Sequence, residues 1–137
     1  MIVVDTNLVI PILVDHEQTA NATTLFSLDP DWHLPDWWLI ELANVLRNYQ
    51  RANLFSQEEV ETLLARALRL FPAQNTHSVD LRETLLLACK HDVSAYDARF
   101  ITLARQFRQK LITEDKRLRK ACPDDTLSLA QAISALT

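Results

Sequence analysis

The sequence predicts an α/β protein built around a mainly parallel sheet. Three observations carry that reading. The chain opens on a short β-branched run, IVV at 2–4, that passes straight into a helical spacing. Similar short apolar runs then alternate with helical patterns, the signature of βα units. Finally, 137 residues suffice for one compact core, so residues 1–137 are read as a single domain.

After the first strand, TNLVIPILVD sets Leu8, Val9, Ile12 and Leu13 at helical spacing, with Pro11 tolerated in the early turns. Residues 17–28 predict a second helix and HLP at 33–35 a second strand. Asp36 is the expected cap of a longer helix through WWLIELANVLRNYQRA, which Asn53 stops. Ser56 and Glu59 form a capping-box pattern ahead of EEVETLLARALRLF, closed by Pro72. QNTHS at 74–78 is a weak third strand. Helices follow through DLRETLLLACKH and SAYDARFITLARQFRQ, then strand KLIT, helix DKRLRKAC and a last helix SLAQAISAL, with Thr126 and Leu127 offering a fifth strand.

Composition excludes several functions. Apolar residues make up 48% and charged residues 23%, as in a folded soluble protein. Glycine is absent. Left-handed positions at helix ends must therefore fall on residues such as Asn53, His91 or Gln109, and neither a P-loop nor a dinucleotide fingerprint can be built. Cys89 and Cys122 lack metal-ligand spacing and are expected to be buried free thiols, suiting a reducing compartment. No signal-peptide pattern and no membrane-length apolar run is visible, which predicts a cytoplasmic protein.

The net charge of −4 hides a division: residues 1–98 hold 6 Lys/Arg against 14 Asp/Glu, whereas residues 99–120 hold 8 Lys/Arg against Glu114 and Asp115 alone. Such a basic stretch is either a set of solvated helix faces or a phosphate-binding patch.

Two strands end on an acid, the first at Asp5 and KLIT at Asp115. In open parallel sheets, ligands collect beyond the carboxyl ends of the strands. Helix capping explains each acid equally well when taken singly. Glu41 lies on the shoulder of the stripe Trp38, Leu42, Val45, Leu46 and Tyr49, where a carboxylate is partly desolvated. Asp97 follows Ser94 at capping-box spacing and borders the face made by Tyr96, Phe100, Ala104 and Phe107. Should the four carboxylates converge, like charges would raise one another's pKa unless a cation compensates. Hard oxygen donors select Mg²⁺ or Mn²⁺, and ions held so make a phosphodiester hydrolase without a side-chain nucleophile. His16, His33, His77 and His91 form no zinc pattern.

The stretches VVDTN at 3–7, LIELANVLR at 39–47, SAYDARFITLA at 94–104 and LITEDKRLRKA at 111–121 together resemble a PIN-domain ribonuclease, in particular the VapC-type toxins of toxin–antitoxin pairs. That resemblance implies a three-layer α/β/α PIN-like domain with a central, mainly parallel five-stranded sheet. It also implies endonucleolytic cleavage of RNA, homodimers and inhibition by an antitoxin. By it, Asp5, Glu41, Asp97 and Asp115 match the acidic quartet around Mg²⁺ or Mn²⁺. Asp5, Asp97 and Asp115 would be the direct metal ligands, with Glu41 acting through a metal-bound water or as a base. Thr6, Asn7 and Thr113 match small polar positions that hold the acids, although capping also explains Thr6 and Asn7. Trp37, Trp38, Leu42, Leu46 and the helix at 57–70 would line an antitoxin groove, the dimer contact or the core. The family often has Gly between the SAYDA helix and the next strand, where this chain has Arg108, Gln109 and Lys110.

Other chemistries fit less well. A haloacid-dehalogenase-like phosphotransferase needs a second acid where Asn7 stands, and a response-regulator receiver needs an acidic pair before its aspartate. A PIN-like module that has lost activity and only binds RNA or protein is the alternative of a different class.

Overall fold

The computed structural model describes residues 1–137. Its elements run β1 (Ile2–Val4), α1 (Thr6–Leu13), α2 (Thr19–Leu28), β2 (Trp32–Pro35), α3 (Trp38–Arg51), α4 (Gln57–Leu70), β3 (Thr76–His77), α5 (Leu81–His91), α6 (Ala95–Gln106), β4 (Leu111–Ile112), α7 (Lys116–Ala121), β5 (Thr126–Leu127) and α8 (Leu129–Leu136). The five strands form one sheet in the order β3-β2-β1-β4-β5, and every neighbouring pair is parallel.

Period-two alternation explains why the central strands β1 and β4 are wholly apolar: both of their faces are covered. In β1, Ile2 and Val4 enter a core with α1, α2, α3, α4 and α8, while Val3 turns to a second core with α5, α6 and α7. β4 splits the same way, Ile112 to the first core and Leu111 to the second. The result is a three-layer α/β/α sandwich with five parallel strands.

From β1 the chain first builds outward through β2 and β3, then returns to lay β4 and β5 on the other side. The strand order therefore reverses between β1 and β4, which opens a crevice at their carboxyl ends. Asp5 leaves one of these strands and Asp115 follows the other.

Several local expectations are corrected. Asp36 does not cap α3. Its N–H donates to the His77 carbonyl at 2.8 Å, prolonging the β2–β3 pairing, so the cap position falls on Trp37 at φ 76°. The left-handed residues are Trp37, Asn53, Asp92 and Arg108; Asn53 was expected, but His91 and Gln109 were not placed correctly. Helix α5 keeps His91 as its last residue and turns at Asp92, whereas α6 stops at Gln106, three residues before the end of its predicted span. Cys122 is buried as expected, but Cys89 is exposed because it faces away from α6 on the outer side of α5. Tyr96 likewise points to solvent, 70% exposed, and does not share the buried face of Phe100 and Ala104. Trp38, Leu42 and Leu46 are core residues, while Trp37 is 67% exposed.

Candidate active site

Asp5 is the best-held of the acids. It ends β1, caps α1 by accepting from the Asn7 N–H at 3.2 Å, and its other oxygen accepts from the Thr113 hydroxyl at 2.8 Å. Parallel pairing brings Thr113 there: Val4 registers with Ile112, and the Asp5 N–H donates to the Ile112 carbonyl at 3.0 Å. Thr113 in turn accepts from the Asp115 N–H at 3.0 Å, so one buried hydroxyl ties the ends of β1 and β4 together. Asp115 caps α7, accepting from the N–H groups of Arg117 at 2.9 Å and Leu118 at 3.1 Å.

Asp97 lies in the first turn of α6, where its N–H donates to the Ser94 hydroxyl at 3.0 Å. The reciprocal half of a capping box is absent there, in contrast to Ser56 and Glu59, where both halves form. The Asp97 carboxylate is thereby released to face Asp115. Glu41 is half-buried on α3, as its shoulder position predicts, and one of its oxygens is bound by Arg99 of α6.

The electrostatics show that these acids share one region. Burial pushes the Asp5 carboxyl up from 3.8 to about 6, opposed by the Thr113 and Asn7 hydrogen bonds and reinforced by the charges of Glu41 and Asp97. Burial also raises Glu41, against the hydrogen bond and charge of Arg99 and with a further push from Asp97. Asp97 is raised by burial first and by Asp115 second, while Arg117 and Arg99 pull it down. Like charges are gathered at the carboxyl end of the sheet without full compensation.

As they stand, no three His, Cys, Asp or Glu side chains are drawn close enough to enclose an ion. The donor chemistry nevertheless fits a hard divalent cation, since every acid presents carboxylate oxygens. Beside Asp5, the buried Thr6 hydroxyl has no hydrogen-bond partner. A polar atom left unpaired next to a strained carboxylate marks a place where a further ligand would relieve both. Asn7 supplies only its backbone N–H to Asp5.

A model of the PIN domain family matches residues 2–122, a span of most of the chain within which all four acids lie. The chain belongs to the PIN domain family. It is similar to Ribonuclease VapC3 of Pyrobaculum aerophilum, at 31% identity over 124 residues that cover 89% of this chain and 95% of that protein. The PIN fold is matched in the crystal structure of PAE2754, also from Pyrobaculum aerophilum, with a TM-score of 0.75 at 17% identity, covering 98% of this chain and 87% of that one.

Within this PIN domain, one residue at the site escaped sequence reasoning. Arg99 is buried, donates to the Tyr96 carbonyl at 3.2 Å, and also binds the Asp36 carbonyl and Glu41. Its guanidinium lies over the Phe100 ring at 5.3 Å from the centroid. The available signal was an arginine set inside the apolar run ARFITLA, since a cation on a core face needs a partner. The basic stretch itself is not one patch: Arg99 is spent on Glu41, and Arg105 on Asp125 at 2.8 Å.

Proposed function

We propose that this PIN-domain protein is a divalent-metal-dependent endoribonuclease, Mg²⁺ or Mn²⁺ being the cofactor, and the toxin of a toxin–antitoxin pair acting in the cytoplasm. The observation that carries the reading is the Asp5 carboxyl, buried at the sheet's switch point and pushed to about 6 beside two further raised acids. The similarity to a protein named ribonuclease supports the RNA substrate and, through its VapC name, the antitoxin partner.

On this reading Asp5, Asp97 and Asp115 hold the cation, which would neutralise phosphodiester charge, lower the pKa of an attacking water and stabilise the leaving oxygen. Thr113 fixes the direction of Asp5 and the start of the Asp115 turn through its two hydrogen bonds. Arg99 binds one oxygen of Glu41 and leaves the other as an acceptor for the proton of the attacking water. Thr6, next to Asp5 in the chain, carries a buried hydroxyl without a partner. The protein works as a homodimer, and its antitoxin lies along the α3–α4 groove lined by Leu46, Val60 and Leu64.

A labelled RNA panel tests this. Cleavage is expected with Mg²⁺ or Mn²⁺, to stop with EDTA, and to be lost in Asp5→Asn and Asp97→Asn proteins that remain folded. Activity without divalent ions, or full activity in either variant, overturns the mechanism. Binding without cleavage of any RNA would instead favour the inactive module. A reading frame beside the coding sequence that encodes a small DNA-binding protein with an extended tail would supply the expected antitoxin.

A further inference from the structure

A cleft of acids repels the polyanion it is meant to receive, and a protein of net charge −4 adds to that repulsion. The basic segment at 99–120 could offset it, but most of its cations are engaged or elsewhere. Arg99 pairs with Glu41, Arg105 with Asp125, and Arg119 with Glu114 at 3.6 Å. Arg108 and Lys110 line a different cavity, together with Ile2 at the amino end of β1. Arg117 and Lys120 are different: both are exposed, neither takes part in an ion pair, and both line one cleft of about 610 Å³ with Ser94, Asp97 and Asp115.

Their placement follows from the acid before them. Asp115 caps α7 and starts the helix, so residues two and five positions later fall three apart on one face. The Arg117 guanidinium acts on the Asp97 carboxyl across the cleft. Asp92 and Asp97 thus line the cleft from the α5–α6 side, and Asp115, Arg117 and Lys120 from α7, around a space that a nucleotide unit can occupy.

We propose that Arg117 and Lys120 form a phosphate-binding subsite for the RNA strand, holding the phosphate next to the one that is cut. The inference rests on the nuclease reading above. Contacts to phosphate position a strand without reading its sequence, so this subsite contributes affinity and register but no base preference.

Fluorescence anisotropy of a labelled single-stranded RNA in EDTA, across 50–200 mM salt (conditions spanning roughly the range over which phosphate contacts are lost), tests the subsite apart from catalysis. Arg117→Gln and Lys120→Gln are each expected to weaken binding about 3-fold and the double variant about 10-fold, equally for unrelated sequences. Each should lower the slope of log affinity against log salt by about 0.7. Arg108→Gln, at the other cavity, should change neither quantity. Where cleavage is measurable, the double variant should raise KM and leave kcat near wild type. Unchanged affinity and slope in the double variant overturn the subsite, even if the protein cuts RNA normally. The expected slopes in a protein that cuts nothing would instead keep the subsite and remove the nuclease reading.

Discussion

Asp5 leaves the carboxyl end of β1 and Asp31 precedes the amino end of the adjacent β2, yet the protein pushes the two carboxyls in opposite directions. Burial lifts Asp5 to about 6, and its charged neighbours Glu41 and Asp97 add to the push. Burial works against Asp31 too, but the Asn75 amide, His33 and the N-terminal ammonium bring it below the ordinary range. Asp125, just before β5, is held low first by its hydrogen bonds to Arg105. Acids at the amino end are thus matched with donors, and acids at the carboxyl end with one another. Ordinary surface chemistry stabilises the first arrangement, whereas the second persists only because the fold enforces it, which is the usual mark of a functional site.

The sharpest way to test the contrast is to remove one acid from each end. Asp97→Asn should lower divalent-dependent RNA cleavage on the order of 1,000-fold, the several kcal/mol that a placed cation contributes at a phosphoryl centre. Asp31→Asn should leave the rate unchanged in the same assay. Equal losses would mean that the two ends do not differ in function.

Arg99 brings amino-end pairing to the carboxyl end at Glu41, as Arg119 does at Glu114. Arg99→Ala removes a buried cation and leaves the Asp36 carbonyl and Glu41 without their donor, so urea unfolding should report about 3 kcal/mol less stability. A loss below about 1 kcal/mol would show that Glu41 is solvated well enough to stand alone.

Asp5 allows the sign to be tested directly. The native carboxyl keeps its proton up to about pH 6, while the unfolded chain releases it near 3.8, so the native state binds more protons between these values and stability falls as pH rises through them. Ionising it costs the native state about 3 kcal/mol, a net figure that already includes its hydrogen bonds to Thr113 and Asn7. Asp5→Asn, which trades one acceptor oxygen for an amide N–H, should therefore stabilise the metal-free protein by about 1–2 kcal/mol at pH 8, with the gain fading as pH falls from about 6 and nearly gone by about 4. Destabilisation at pH 8 would show that Asp5 is not under electrostatic strain.

Asp125 should give the opposite and smallest effect. Its carboxyl is lowered, so its contribution is present above the ordinary carboxylate range and disappears as pH falls through its depressed native value. Asp125→Asn should cost less than about 1 kcal/mol at neutral pH, since Arg105 is well exposed, and nothing in strong acid.

How much of this was legible varies with the range of the interaction. The ends of β1 and β4 on Asp5 and Asp115, the half-buried Glu41 and the Ser56–Glu59 box all follow from patterns within a few residues, and all are present in the structure. The Trp37 cap was missed because the β2–β3 pairing, 41 positions apart along Asp36 and His77, carries the strand past its local stop signal. Cys89 was misjudged because a helical apolar context does not say which side of α5 meets α6.

By itself, the order of residues determined that the short apolar runs IVV and KLIT would each be followed by an acid at the start of a helix, because backbone periodicity and capping act over one or two turns. Only the tertiary structure decided what those acids would meet. The Thr113 hydroxyl reaches Asp5 across 108 residues and Arg99 reaches Glu41 across 58. Desolvation, which raises Asp5, Glu41 and Asp97, belongs to no segment at all: it exists only once helices from both sides of the sheet have excluded water from the end of β1.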